Sequence, residues 1–176
     1  LLASQALTYG FRFNALGDLV SKPTMGPKEH GESYVDLFLG LWPGWTSKLT
    51  ISLLDLSQSA TLKSKLEAFA EELDDTAASS IAMINQARSE AAPFNISNTC
   101  SDGIMQDLWG FAESVSNNSS DPTLQTKANE LETAIENMVV SMANGTLQSD
   151  VSGISIYLPS ETCFDTDYNS LSKLLP

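Results

Sequence analysis

The chain has 176 residues, 42% of them hydrophobic, enough for one domain (1–176) with a real core. It carries 9 Lys+Arg against 22 Asp+Glu, a net charge of −13 at pH 7. That balance disfavours nucleic acid and anionic lipid as partners and favours basic ones, basic peptides included. No apolar run approaches the ~20 residues that a membrane-spanning helix needs.

Leu1 to Gln5 reads as the tail of a buried strand rather than the start of a domain, which predicts a fragment or one chain of a processed protein. Tyr9 to Phe13 form an aromatic, Gly-containing loop and Asn14 to Val20 a short helix. Lys22 to Pro27 is a loop, with Pro27 suited to the first turn of the next helix. That helix carries Tyr34, Val35, Phe38 and Leu41 on one face and ends before Pro43-Gly44.

Leu49 to Leu54 alternates apolar and polar residues over most of its length, the period of a strand with one buried face. Ser57 or Ser59 can cap the helix that follows. Leu62, Leu66, Phe69, Leu73, Ala77, Ile81 and Ile84 recur at helical spacing and predict a long helix to about Arg88, lying across a sheet and broken by the segment Pro93 to Thr99. Ile104, Leu108, Phe111 and Val115 form the stripe of a shorter helix, followed by a polar loop at Asn117 to Ser120. Asp121-Pro122 opens another helix, with Leu124, Ala128, Leu131, Ile135, Met138, Val139 and Met142 on its buried face and Asn144-Gly145 at its end. Ile154, Ile156 and Leu158 alternate with Ser155 and Tyr157 in a second strand stopped by Pro159, and Tyr168 to Leu175 form a last short helix. Helices thus alternate with short apolar strands, which predicts an α/β fold with helices packed on a short-stranded sheet.

The chemistry-bearing residues are few. One histidine, and two cysteines far apart in sequence, give no metal-ligand spacing, and no Gly-rich phosphate loop or glycine-flanked serine is present, so neither a metal nor a cofactor is expected. The acidic run Glu71-Glu72 and Asp74-Asp75 reads as a solvated helix face. A cysteine–histidine dyad needs an imidazole beside a thiolate, but His30, Cys100 and Cys163 all follow polar or loop sequence rather than apolar strands, so no catalytic residue is assigned within the chain. Four Asn-x-Ser/Thr acceptors, Asn95, Asn117, Asn118 and Asn144, lie in polar stretches. With two cysteines and few lysines they fit an extracellular protein, secreted or at the cell surface. A Cys100–Cys163 disulfide is then expected, stabilising by roughly 3–4 kcal/mol in the chain-entropy model; the alternative is two free buried thiols.

Three segments, in order, resemble the clostripain family of cysteine endopeptidases. Leu2-Ala3-Ser4-Gln5 followed by Tyr9-Gly10-Phe11-Arg12-Phe13-Asn14 resembles its strand ending in Ala-Ser-Glu and the loop Pro-Gly-aromatic-Gly-aromatic-Asp-Tyr. Leu49 to Ser57 is similar to its strand ending in Asp-Leu-Ser before a long helix, and Ser152 to Pro159 is similar to its Ser-Gly-Leu-Ser-Ile-Tyr-Phe-Pro. A fourth, weaker match joins Met105 to Ala112 with its Val-Asp-Leu-Tyr-Asp-Phe helix. The resemblance implies part of a caspase-like α/β/α sandwich. It implies that the catalytic His and Cys lie upstream of the Ala-Ser-Glu strand, on a partner chain or segment, and that this chain completes the fold and walls the peptide pocket through Ser4, Gln5 and Asn14. The family cleaves after basic residues, selected by acidic groups in the primary pocket. Here its Glu, Asp and Tyr align with Gln5, Asn14 and Ala15. An alternative from another class is therefore a catalytically inactive extracellular structural or adhesion module on the same fold.

Overall fold

The computed structural model describes Gly26, residues 28–29, 31–33, 35, 50–91, 105–144 and 151–158. The expected elements at Leu1–Gln5, Asn14–Val20 and Tyr168–Leu175 and the break at Pro93–Thr99 lie outside these residues. Residues 28–29, 31–33 and 35 are helical, with Val35 buried, in line with the helix expected after Pro27.

Strand β1 (Thr50–Leu54) forms where the alternation predicts it. A 3-10 turn (Leu56–Gln58) then leads into α1 (Ser59–Glu90). The serine cap expected there is not used. Asp55 caps the turn, accepting from Ser57 N at 2.9 Å, and Gln58 stands at the start of α1 without a side-chain cap bond. The carboxylate wins because the chain turns before the helix begins, putting the Ser57 amide within its reach.

Helix α1 buries Phe69 and Ala87, with Leu62, Leu66, Leu73 and Met83 packed beside them. Ile81 departs from the predicted stripe and is 60% exposed. The ring of Phe69 meets that of Phe111 edge-on at 6.1 Å, while Glu90 accepts from the Ser114 hydroxyl. A straight helix from Phe69 to Glu90 would run about 31 Å, further than these two side-chain bridges and one turn of the facing helix can span. α1 therefore bends. Within α1, Thr76 Oγ1 donates back to Glu72 O at 3.0 Å and Leu73 O at 3.3 Å.

The stripe read from Ile104 onward begins one element too early. Met105–Asp107 is strand β2, and helix α2 (Leu108–Asn118) starts at the following residue with Asp107 as its cap. The polar loop expected at Asn117 begins only at Ser119, because both asparagines close the last turn of α2. Helix α3 (Pro122–Met138) has the predicted Pro122 at its first turn, and Asp121 accepts from Thr123 N and Leu124 N at 2.7 and 3.2 Å. Leu124, Ala128, Leu131, Ile135 and Met138 are buried as expected. Val139 and Met142, read as further turns of that helix, belong instead to strand β3 (Val139–Asn144).

β3 pairs antiparallel with β1, from Thr50 opposite Asn144 to Leu54 opposite Val139, with a register shift between Leu53 and Leu54. β2 pairs antiparallel with β4 (Ser155–Tyr157). Among the described residues these are two separate two-stranded ladders. The fold is mixed helix and strand, the α/β class read from the sequence. Its core is the three-helix contact of Phe69, Phe111, Val115, Leu124, Leu131 and Ile135, each fully buried side chain contributing roughly 1.5–3 kcal/mol.

Candidate functional site

Two polar constructions organise the region where α2 and α3 meet β3 and the approach to β4. The first is a clasp. Asp107 is fully buried. Its Oδ2 accepts from Gly110 N at 2.9 Å, and its Oδ1 accepts from Ser152 N at 2.7 Å and Ser152 Oγ at 2.8 Å. One carboxylate thereby caps α2 and holds the turn that carries β4. Burial pushes the Asp107 carboxyl above its ordinary value, opposed by hydrogen bonds from Gly110, Ser152 and Gly153. Leu108 N donates to Ile154 O at 2.9 Å beside it, so the end of β2 and the start of β4 are tied twice.

The second is a groove of about 930 Å³ beside the clasp. Its floor is apolar, built from Ile135 of α3, Val139 and Met142 of β3, and Val151. Its rim carries the carboxylates of Glu90, Glu113 and Glu136, with the indole of Trp109 between the helices. Trp109 Nε1 donates to Glu136 Oε1 at 3.3 Å. At the other end Glu90 accepts from Ser114 Oγ, from Gln86 Nε2 at 2.8 Å and from Asn118 Nδ2 at 3.2 Å.

The Ser114 hydroxyl, followed by Gln86 and against a small opposing effect of burial, holds the Glu90 carboxyl below the usual carboxylate range. By accepting from Ser114, Gln86 and Asn118, the Glu90 carboxylate braces the end of α1 against α2. What the groove offers is recognition: apolar contact below, negative charge and hydrogen-bond acceptors above.

Of the residues singled out from the sequence, Ser4, Gln5, Asn14, Asn95, Cys100, Cys163 and His30 lie outside the described residues. Asn117, Asn118 and Asn144 lie within them and are not brought together as one site. Asn117 is exposed at the edge of the groove. Asn118 is also exposed, and its Nδ2 donates to Ser114 O at 2.9 Å as well as to Glu90. Asn144 Nδ2 donates to Val151 O at 2.9 Å, linking β3 to the clasp segment. Glu71, Asp74 and Asp75 are exposed, the solvated face expected of them.

Sequence reasoning missed the groove and the clasp. Asp107 had a signal, an Asp directly before Leu108 of the apolar stripe, which is a helix-cap position when the helix begins at that residue. The groove had none, because its lining comes from elements far apart in sequence.

Among the described residues no group of His, Cys, Asp and Glu is placed to hold a metal ion, and no helix is long and apolar enough to cross a membrane. No curated protein and no solved structure matches the chain. The model of the clostripain family, by contrast, matches residues 1–175. With the Asp-Leu-Ser strand end, the Asp107 helix start and the Ser-Gly turn before β4 all in place, the chain belongs to the clostripain family of cysteine peptidases.

Proposed function

We propose that this chain is the portion of a secreted clostripain-like cysteine endopeptidase that lies downstream of the catalytic dyad. The family match over residues 1–175 carries the reading. The order of the motifs supports it, since the segments resembling the family here are those that follow its catalytic His and Cys. In this role the chain completes a caspase-like α/β/α sandwich and walls the substrate pocket through Ser4, Gln5 and Asn14. The dyad comes from an upstream segment, and the substrate is a peptide.

The test compares residues Leu1 to Pro176 alone with the same residues joined to the upstream segment. The chain alone should neither cleave basic peptides nor be labelled by a peptide-based, thiol-directed inhibitor, and the joined protein should do both. Specific labelling of Cys100 or Cys163 in the chain alone, abolished by His30→Ala, overturns the reading.

The secreted setting carries two further proposals: a Cys100–Cys163 disulfide, and glycans at Asn95, Asn117, Asn118 or Asn144 in a eukaryotic source. Labelling of two thiols in the denatured, unreduced protein refutes the bridge.

A second reading rests on a specific observation. Gln5, Asn14 and Ala15 stand where the family motif has Glu, Asp and Tyr, so the pocket lacks two of the family's acidic groups. A catalytically inactive extracellular structural or adhesion module on the same fold accommodates that loss. Absence of activity and of inhibitor labelling in the joined protein would favour it.

A further inference from the structure

The rim of the groove concentrates like charge. Glu113 projects from α2 and Glu136 from α3, with Glu90 at the far end. Glu132, one turn before Glu136, has a buried Oε1 without a hydrogen-bond partner. Among the described residues the ion pairs are Lys28–Glu32, Lys63–Glu67, Lys65–Glu130 and Lys127–Glu130. None of them involves a rim carboxylate. Burial raises the Glu132 carboxyl; Ser116 opposes that, and the charges of Glu113 and Glu136 add to it, so these carboxylates repel one another in the folded chain. Beneath them the floor is apolar, and Met142 is 39% exposed, one of three large hydrophobic side chains exposed among the described residues.

A patch that pairs a negative rim, without an ion-pair partner among the described residues, with an apolar floor is complementary to a segment whose apolar side chains enter the groove while its Lys or Arg side chains reach the rim. The volume of about 930 Å³ is at the upper end of the range of ligand pockets. The net charge of −13 draws such a segment in from solution. We propose that the α2–α3–β3 groove is a docking site for a cationic, partly apolar peptide segment of a partner protein. The proposal rests on the groove's own lining and holds wherever the catalytic dyad lies. A bound cation relieves the repulsion among Glu113, Glu132 and Glu136 and makes a stacking or cation–π contact with Trp109.

The experiment is fluorescence anisotropy with the full chain Leu1–Pro176 at near-physiological salt. The probe is a short fluorescein-labelled peptide of alternating leucine and lysine. Binding is expected, whereas the leucine–glutamate counterpart should not bind. The double variant Glu113→Gln/Glu136→Gln should weaken binding about fivefold, the effect of two partly desolvated rim charges. The variant Glu71→Gln/Asp74→Asn, which removes the same charge from the exposed face of α1, should change it less than about twofold, because exposed charges at a distance are screened. A mutation-free readout uses amide shifts of the wild-type chain, expected to move on peptide addition at Gly110, Glu113, Glu136, Met142 and Val151. The proposal is overturned if the leucine–lysine peptide does not bind. It is equally overturned if the two double variants weaken binding alike, or if the shifts fall elsewhere.

Discussion

Gly153 packs its backbone directly onto the Ser52 side chain: a Cβ at Gly153 would overlap Ser52 Oγ and stand 2.8 Å from Ser52 Cβ. Gly153 also has φ +85°, the left-handed region that side chains disfavour. The turn leading to β4 can therefore lie against β1 only with glycine at this position. Gly153→Ala should cost about 2–4 kcal/mol, the sum of backbone strain and overpacking. Ser52→Ala should be close to neutral, since the Ser52 hydroxyl is buried without a partner. The double variant should recover part of the loss, a non-additivity readable from urea unfolding curves. Strict additivity would show that the two residues do not touch.

Asp107 answers for two elements at once. Asp107→Ala should cost about 2–4 kcal/mol, about 1 for the lost cap and the rest for the amides of Gly110 and Ser152 left unpaired. Ser152→Ala removes the hydroxyl that donates to Asp107 at 2.8 Å and accepts from Ile154 N at 3.4 Å, and about 1 kcal/mol is expected. Chemical denaturation orders the two variants; equal losses would mean that the Ser152 hydroxyl rather than the carboxylate holds the clasp.

Much of the helical part was legible in the sequence because α1 and α3 repeat their apolar residues over many turns, and Asp121-Pro122 marks a helix start by cap chemistry. β1 was legible from its alternation. β3 was not. Val139 and Met142 continue the spacing of Leu131, Ile135 and Met138, and only pairing with β1 turns Val139–Asn144 into a strand. β2 was hidden for a related reason: it is three residues long, and Ile104, Leu108, Phe111 and Val115 mimic one uninterrupted helical stripe. The family was legible from short motifs in order, but the groove was not, because Glu90, Glu113 and Glu136 meet only in three dimensions.

Acid should act oppositely on two glutamates. Glu132 holds its proton more tightly folded than unfolded, so its ionisation lowers stability as pH rises from 4.5 toward the raised value. Glu132→Gln should stabilise at pH 7, by less than about 1 kcal/mol because the group is partly solvated. The gain should vanish below pH 4.5, where wild type is protonated in both states. Glu90 is lowered instead. Its contribution is present at neutral pH and lost as pH falls from 4.5 through the lowered folded value, so Glu90→Gln should destabilise at pH 7 and converge with wild type in stronger acid. Thermal melts across this range test both signs, and parallel curves for either variant and wild type would contradict the assignment for that residue.

The proposed function makes one prediction about specificity: in the chain joined to a catalytic segment, Asn14→Asp should strengthen preference for a basic residue before the cut. A carboxylate can form two charge-assisted hydrogen bonds with an Arg side chain, which a neutral amide cannot match. The measurement is the ratio of kcat/KM for matched peptides with Arg or Leu at that position. An unchanged ratio would remove Asn14 from the pocket wall.

The β1–β3 ladder joins residues that lie on either side of α1, α2 and α3 in the chain. Closing it means closing a loop that holds all three helices, an entropic cost that local helix contacts do not carry. α2 and α3, separated by residues 119–121 alone, can pack early, whereas the ladder must wait for them. The β1–β3 ladder is therefore expected to close after the helices pack, with slower amide protection at Ile51 and Leu53 than in α2 and α3 during refolding as the measurement that checks it. The Asp55 N to Met138 O bond, where β1 ends and α3 passes into β3, is the seam that joins the two ends of that loop.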